Sequence, residues 1–322
     1  MSSSIKSNQK IIETELIRKQ YWNKLRTQIL DLKLEDEHGR FLNFKENSNL
    51  MLRYCFNKII TRKAHDDPVM ITSESSIAKK QVIDDFTYHK IINYSPYDFS
   101  DILEKGFIEG KIAVDECKEV DHGVIYSSVN GVAKLRYRGS VYDDIANLAS
   151  SNRKYVKEAI ALQIRYTYLR LDTHGLANDY KNMGFKPTDA IEAFASAFNH
   201  YFDKYYSAFP DLESCFGSLG SFFEADIECK NTIMINPPFD LQIMFEMIKR
   251  IISFLELNKS MTFNLTLPAW IDVKEFMALE ASKYTTKFII IPKDQTRFIN
   301  HMKNEQIIQP CSIIQITMSN EH

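Results

Sequence analysis

The sequence predicts an α/β fold, with a mainly helical N-terminal part followed by a mostly parallel sheet. Three observations predict it. Apolar residues recur at helical spacing near the N-terminus. From about residue 188, short apolar strands alternate with a helical stretch, the pattern of a layered α/β sheet. An Asn-Pro-Pro-Phe string, Asn236 to Phe239, directly follows one of those strands. Proline is poorly tolerated inside a sheet, so the string belongs to the loop leaving the strand tip.

The elements follow in order. Residues 9–34 are expected to be helical, because Trp22, Leu25, Ile29 and Leu32 fall on one face. A second helix is expected over 47–64. Residues 1–65 hold 13 Lys and Arg against 7 Asp and Glu, a local basic excess that could contact phosphates. Residues 124–138 read as a β-hairpin around Asn130-Gly131, a two-residue turn signal. Its outgoing strand carries Lys134, Arg136 and Arg138 at every second position, on one face, as candidate substrate contacts. A helix over 152–171 is expected to bury Tyr155, Ala159, Leu162, Tyr166 and Leu169. Strands are expected at 190–195, 232–235, 261–267, 286–291 and 311–318. A helix at 240–257 would face Met244, Met247, Ile248, Ile251 and Leu255 inward. A helical, basic domain over 1–120 and a sheet domain over 121–322 are expected.

Composition is that of an ordinary folded chain: 322 residues, 44% hydrophobic, 25% charged, with a net charge of -2. Any basic surface must therefore be local. The cysteines Cys55, Cys117, Cys215, Cys229 and Cys311 form no CxxC pair, so neither a metal cluster nor a disulfide framework is expected. The N-terminal MSSSIKSNQK has no apolar core of a secretory signal. No apolar run approaches the ~20 residues that cross a bilayer. A soluble intracellular chain without a membrane partner is the expectation.

The Asn-Pro-Pro-Phe loop fits a particular chemistry. An amine conjugated to a ring or carbonyl is a poor nucleophile, since its lone pair is delocalised. Acceptors placed around the NH2 group favour a pyramidal nitrogen with a localised pair. The Asn236 side-chain oxygen and the Pro237 carbonyl can supply two, and the prolines Pro237 and Pro238 keep them fixed. Phe239 offers a face for an extruded base. A methyl donor activated as a sulfonium needs neither a metal nor a strong base, so positioning does most of the work. The motif leaves the acceptor open, because such loops also serve methylation of glutamine amides.

Several blocks stand in order: Glu192-Ala193-Phe194-Ala195-Ser196-Ala197-Phe198-Asn199, Tyr206-Ser207-Ala208-Phe209-Pro210-Asp211, Phe216-Gly217-Ser218-Leu219-Gly220, Asn236-Pro237-Pro238-Phe239, Leu267-Pro268-Ala269-Trp270 and Ile290-Ile291-Pro292. Over about 188–318 they resemble the cap-specific adenosine N6-methyltransferases, homologues of the WW-domain factor that binds the phosphorylated RNA polymerase II tail. The resemblance implies a class I, Rossmann-like methyltransferase domain and S-adenosyl-L-methionine as cofactor. It also implies capped mRNA as substrate, methylated on the 2′-O-methylated adenosine beside the cap. By position, Glu192, Phe194, Ala195, Ser196, Asn199 and Asn236 would hold the cofactor. Asn236, Pro237, Pro238 and Phe239 would form the catalytic loop, with Asp240 and Trp270 beside the substrate. Three features depart from the pattern: Ala197 where the family usually has proline, Asp240 one position earlier than the family's acidic residue, and the 293–297 stretch Lys-Asp-Gln-Thr-Arg. No WW domain is expected, and hence no binding to the phosphorylated polymerase tail. The alternatives are an N6-adenine methyltransferase on DNA or internal RNA, a glutamine methyltransferase, and a non-catalytic RNA-binding homologue.

Overall fold

The fold is that of a computed structural model. It describes residues 10–63, 65–118, 125–129, 132–137, 140–141, 153–171, 177–227, 232–257, 260–295, 297–300, 305–308 and 311–320. The chain forms two compact units, Met1–Thr173 and His174–His322.

The first unit is mainly helical. It contains α1 (Ile11–Asp31), α2 (Phe44–Thr61), α3 (Ser76–His89), α4 (Pro96–Asp115) and α5 (Val156–Tyr168). A three-stranded antiparallel sheet adds β1 (Ile125–Val129), β2 (Val132–Tyr137) and β3 (Ser140–Val141). Helix α2 starts three residues earlier than the apolar spacing suggests, because Asn43 and Glu46 form a reciprocal capping box. Ser75 caps α3, and Ser95 caps α4 with Pro96 in its first turn. The expected hairpin is present as β1 and β2. Its Asn130-Gly131 turn and Arg138 lie outside the described residues, as do the side chains of Lys134 and Arg136.

Helix α5 packs on α1, which carries this unit beyond the 120/121 boundary expected from sequence. The contact is partly ionic. Arg165 of α5 is fully buried and its Nε donates to Glu15 Oε2 at 3.1 Å. Arg18 joins Glu15 and donates to Asp67 at 2.7 Å. Burial opposes charge on Asp67, yet Arg18 and the backbone N–H groups of Val69 and Met70 hold its carboxyl below the usual range. Lys58, also fully buried, is matched by Glu104 at 2.7 Å. Breaking such pairs would strand a buried charge.

The second unit is built on a six-stranded sheet in the order β6-β5-β7-β8-β12-β9. The strands are β5 (Ile191–Ala195), β6 (Lys204–Ser207), β7 (Thr232–Ile235), β8 (Thr262–Pro268), β9 (Thr285–Ile291) and β12 (Ile313–Ser319). Strands β6, β5, β7 and β8 are parallel, and β12 runs antiparallel between β8 and β9. This is a mixed α/β fold with a mainly parallel sheet, consistent with a Rossmann-like architecture. Helix α7 (Leu241–Glu256) makes the crossover from β7 to β8. It buries Met244, Met247, Ile251 and Leu255 against Ile233, Ile235, Phe263 and Leu265. Short helices α6 (Pro210–Glu213) and α8 (Lys274–Ala278) follow β6 and β8.

A small antiparallel sheet of β4 (Ala177–Asn178), β10 (Arg297–Asn300) and β11 (Glu305–Ile308) completes the unit. After Pro292 a short helical turn spans Lys293–Gln295, and β10 begins at Arg297. Among the described residues, no helix is long and apolar enough to cross a membrane.

Candidate functional site

Chain order marks a topological switch point. The chain leaves β5 to β6 on one side, then returns to β7 on the other side of β5. The order reverses there, and ligands of open α/β sheets bind outside the carboxyl ends of the strands at such a switch point. The loops at that edge are 196–203 after β5, 236–240 after β7 and 269–273 after β8.

The β7 loop is locally determined. Asn236 follows Ile235 and is buried, at 9% exposure, while Pro237 is buried and Pro238 exposed. Asp240 N–H donates to the Pro238 carbonyl at 2.7 Å, closing the turn. The Asp240 carboxylate accepts from Gln242 and Ile243 N–H at 3.1 and 3.2 Å, so it is the N-cap of α7. Asp240 was expected beside the substrate; its carboxylate caps the start of α7.

Phe239 and Trp270 meet although they come from different strand tips. Their rings lie 6.3 Å apart at 75°, edge to face. Both are half-buried. Trp270 stacks on Phe276 at 6.3 Å and 20°, and Phe276 meets Phe245 of α7 at 5.9 Å. The Asn236–Phe239 loop therefore has an aromatic wall anchored in the core.

The β5 loop is held from a distance. Ser196 and Asn199 exchange backbone hydrogen bonds at 3.3 and 3.0 Å, and Ser196 Oγ accepts from Phe198 and Asn199 N–H. The Ala197 N–H donates to Oε2 of the fully buried Glu213 at 2.6 Å. A proline at 197 could not make this bond, which gives the Ala197 departure a local counterpart. His200 Nδ1 donates to the Ser196 carbonyl at 2.8 Å, and its ring stacks on Tyr205 at 4.5 Å. Burial lowers the His200 pKa, favouring the neutral ring.

Glu192 does not stand at the strand tip. It is buried within β5, level with Tyr205 of β6 and Met234 of β7. Its Oε2 accepts from Tyr201 N–H at 3.1 Å, and burial pushes its pKa up to about 7. Glu192 thus braces the loop returning to β6. The β5–β6 pairing shifts register between Glu192 and Ala195. Phe194 thereby packs with Phe222 and Phe223, at 5.4 and 5.7 Å, in the same cluster as Ala193. Sequence reasoning missed Glu213 as a loop support, because its partner lies 16 residues away and nothing in the local pattern marks it.

The geometry defines an α/β protein whose switch-point loops bring polar side chains beside an aromatic pair, with no glycine-rich phosphate loop after β5. The comparisons place it further. The family described as "Phosphorylated CTD interacting factor 1 WW domain" matches residues 140–301, half of the chain, and the chain belongs to that family. The expectation of no WW domain, and with it of no binding to the phosphorylated polymerase tail, is overturned by this match. The chain is similar to the mRNA (2'-O-methyladenosine-N(6)-)-methyltransferase of Homo sapiens, 30% identical over 106 residues, and to that of Mus musculus, 29% identical. Each match covers 32% of this chain and spans 15% of the relative's length.

Proposed function

We propose that this chain transfers the methyl group of S-adenosyl-L-methionine to the N6 amine of adenosine in RNA, the acceptor being the 2′-O-methylated first nucleotide of capped mRNA. The observation that carries the reading is the Asn236–Phe239 loop leaving β7 at the switch point, with Phe239 against Trp270. The relatives' names supply the acceptor. The reversed strand β12 between β8 and β9 supports a class I methyltransferase sheet. A dinucleotide site would carry glycines after its first strand, to admit a pyrophosphate; here Ser196-Ala197-Phe198-Asn199 follows β5.

The residues at the edge fit a nucleoside cofactor that lacks phosphate. Ser196, Asn199 and Asn236 offer neutral hydroxyl and amide groups at neighbouring strand tips, and Phe194 and Ala195 line the end of β5. Glu192 acts on that site through the loop it braces. When bound, S-adenosyl-L-methionine supplies a methyl group already activated as a sulfonium.

Asn236 Oδ1 and the Pro237 carbonyl accept the amine N–H groups and localise the nitrogen lone pair. Pro237 and Pro238 remove the loop's freedom, so the acceptors need no reorganisation. Phe239 stacks on the base, and Trp270 holds Phe239 in place. Lys134, Arg136 and Arg138 are candidates for substrate phosphates by charge alone.

The test is transfer of a radiolabelled methyl group to four acceptors: capped RNA, uncapped RNA, DNA and protein. The reading predicts label in capped RNA. Label in DNA or protein would move the reading to those acceptors, and cofactor binding without transfer to any would leave a non-catalytic homologue.

A further inference from the structure

Part of the basic excess of residues 1–65 is answered by carboxylates inside the helical unit. Arg18 pairs with Glu15 and Asp67, Lys24 with Glu109, Arg40 with Asp36 and Glu46, Arg53 with Asp85, and Lys58 with Glu104. Arg26 of α1 and Arg170, just beyond α5, differ. Their guanidinium carbons lie 4.6 and 5.4 Å from the centroid of one ring, Phe44 at the start of α2. Neither pairs with a carboxylate among the described residues. Two like charges near one ring repel each other, and a bound anion would offset that repulsion.

Two further observations point to an anion. The two arginines line a shallow surface depression with Trp22, Ser48, Met51, Leu52 and Tyr168. One terminal nitrogen of Arg26 (NH2) is buried without a hydrogen-bond partner, and its Nε reaches only Ser48 Oγ, at a long 3.4 Å. An unmet buried donor is costly and marks a place where a partner belongs. Arg170 adopts a left-handed backbone at φ 58. Glycine takes that conformation freely, so the position tolerates removal of the side chain.

We propose that the Arg26–Arg170 depression binds a phosphoryl group. Two guanidinium forks present planar donor pairs, which match the oxygens of a doubly charged tetrahedral anion. The half-exposed Phe44 ring keeps both forks in place. A phosphate of an RNA backbone and free orthophosphate share this chemistry. The proposal stands apart from the methyl-transfer reading, since no residue of the depression belongs to the sheet unit.

Isothermal titration of the whole chain with inorganic phosphate, in buffer free of phosphate and sulfate, tests it. Wild type should bind saturably. Arg170→Gly relaxes the left-handed backbone, so the fold should hold while phosphate affinity falls by about tenfold or more, the loss of one charge-assisted contact. Arg26→Gln, with unchanged circular dichroism, should lose affinity similarly. A short uncapped RNA that abolishes the phosphate heat identifies the ligand as a backbone phosphate; an RNA that leaves the heat unchanged identifies the free ion. No saturable phosphate binding by wild type, or equal binding by wild type and Arg170→Gly, overturns the proposal.

Discussion

Two loops at the same sheet edge are fixed in opposite ways. The β7 loop, 236–240, carries its own constraints: consecutive prolines, a turn closed by Asp240, and the Asp240 cap on α7. The β5 loop, 196–203, is fixed by buried carboxylates outside it, Glu213 on Ala197 N–H and Glu192 on Tyr201 N–H. A site can thus have one half written in consecutive residues and the other half written in tertiary structure. The first half withstands changes elsewhere in the fold; the second depends on them and on pH.

Substitutions can sharpen this contrast. Asn236→Ala should have the largest effect, lowering methyl transfer by about a hundred- to a thousandfold, as loss of a preorganised polar contact does. S-adenosyl-L-methionine affinity, measured by titration, should fall far less than turnover, because Ser196 and Asn199 remain to hold the cofactor. Near-normal turnover would remove Asn236 from the amine. Phe239→Ala should lower kcat/KM by about tenfold or more, since base stacking is worth ~1–3 kcal/mol. Full activity would mean that the base is held elsewhere.

The β5 loop predicts a different signature. Glu213→Ala should cost about 1–3 kcal/mol of stability by stripping the acceptor from a buried N–H. Glu213→Gln, which keeps an oxygen, should recover much of it in a denaturant melt. Equal losses in the two variants would show that the hydrogen bond is not what holds Ala197. Asp240→Ala should cost about 1 kcal/mol, the usual value of a helix cap. A rise in KM without a stability change would instead place Asp240 on the substrate.

The smallest effect is on pH dependence. Glu192 has a folded pKa of about 7, above its ordinary 4.5. The folded state therefore holds the proton more tightly than the unfolded state. The associated stability is complete below the ordinary value and lost as pH rises through about 7. Glu192→Gln should flatten the stability profile across that window and leave the acceptor for Tyr201 N–H in place. A profile identical to wild type would mean that Glu192 is ionised in the folded protein.

Legibility followed the same division. The strands at 232–235 and 262–268, the crossover helix and the Asn236–Phe239 loop were readable because periodicity and proline act locally. Trp270 was readable only through the resemblance, and its contact with Phe239 only from the fold. Glu192 was assigned to the cofactor by the resemblance, and its place inside β5 is visible only in the fold. A register shift and a backbone N–H from the next loop decide what it does. The basic N-terminus was legible only as a count, since charge counts do not reveal that Arg18 and Lys58 are buried against carboxylates. Strands β10 and β11 were missed because nothing in that stretch announces a hairpin.

The central claim is that the site beside Asn236 methylates adenosine N6 in capped RNA. Digesting product RNA to nucleosides after incubation with wild type, and separately with Asn236→Ala, tests it most directly. The account predicts N6,2′-O-dimethyladenosine from wild type and none above background from the variant. A methylated nucleoside other than an N6-methyladenosine, or equal yields from the two proteins, would contradict it.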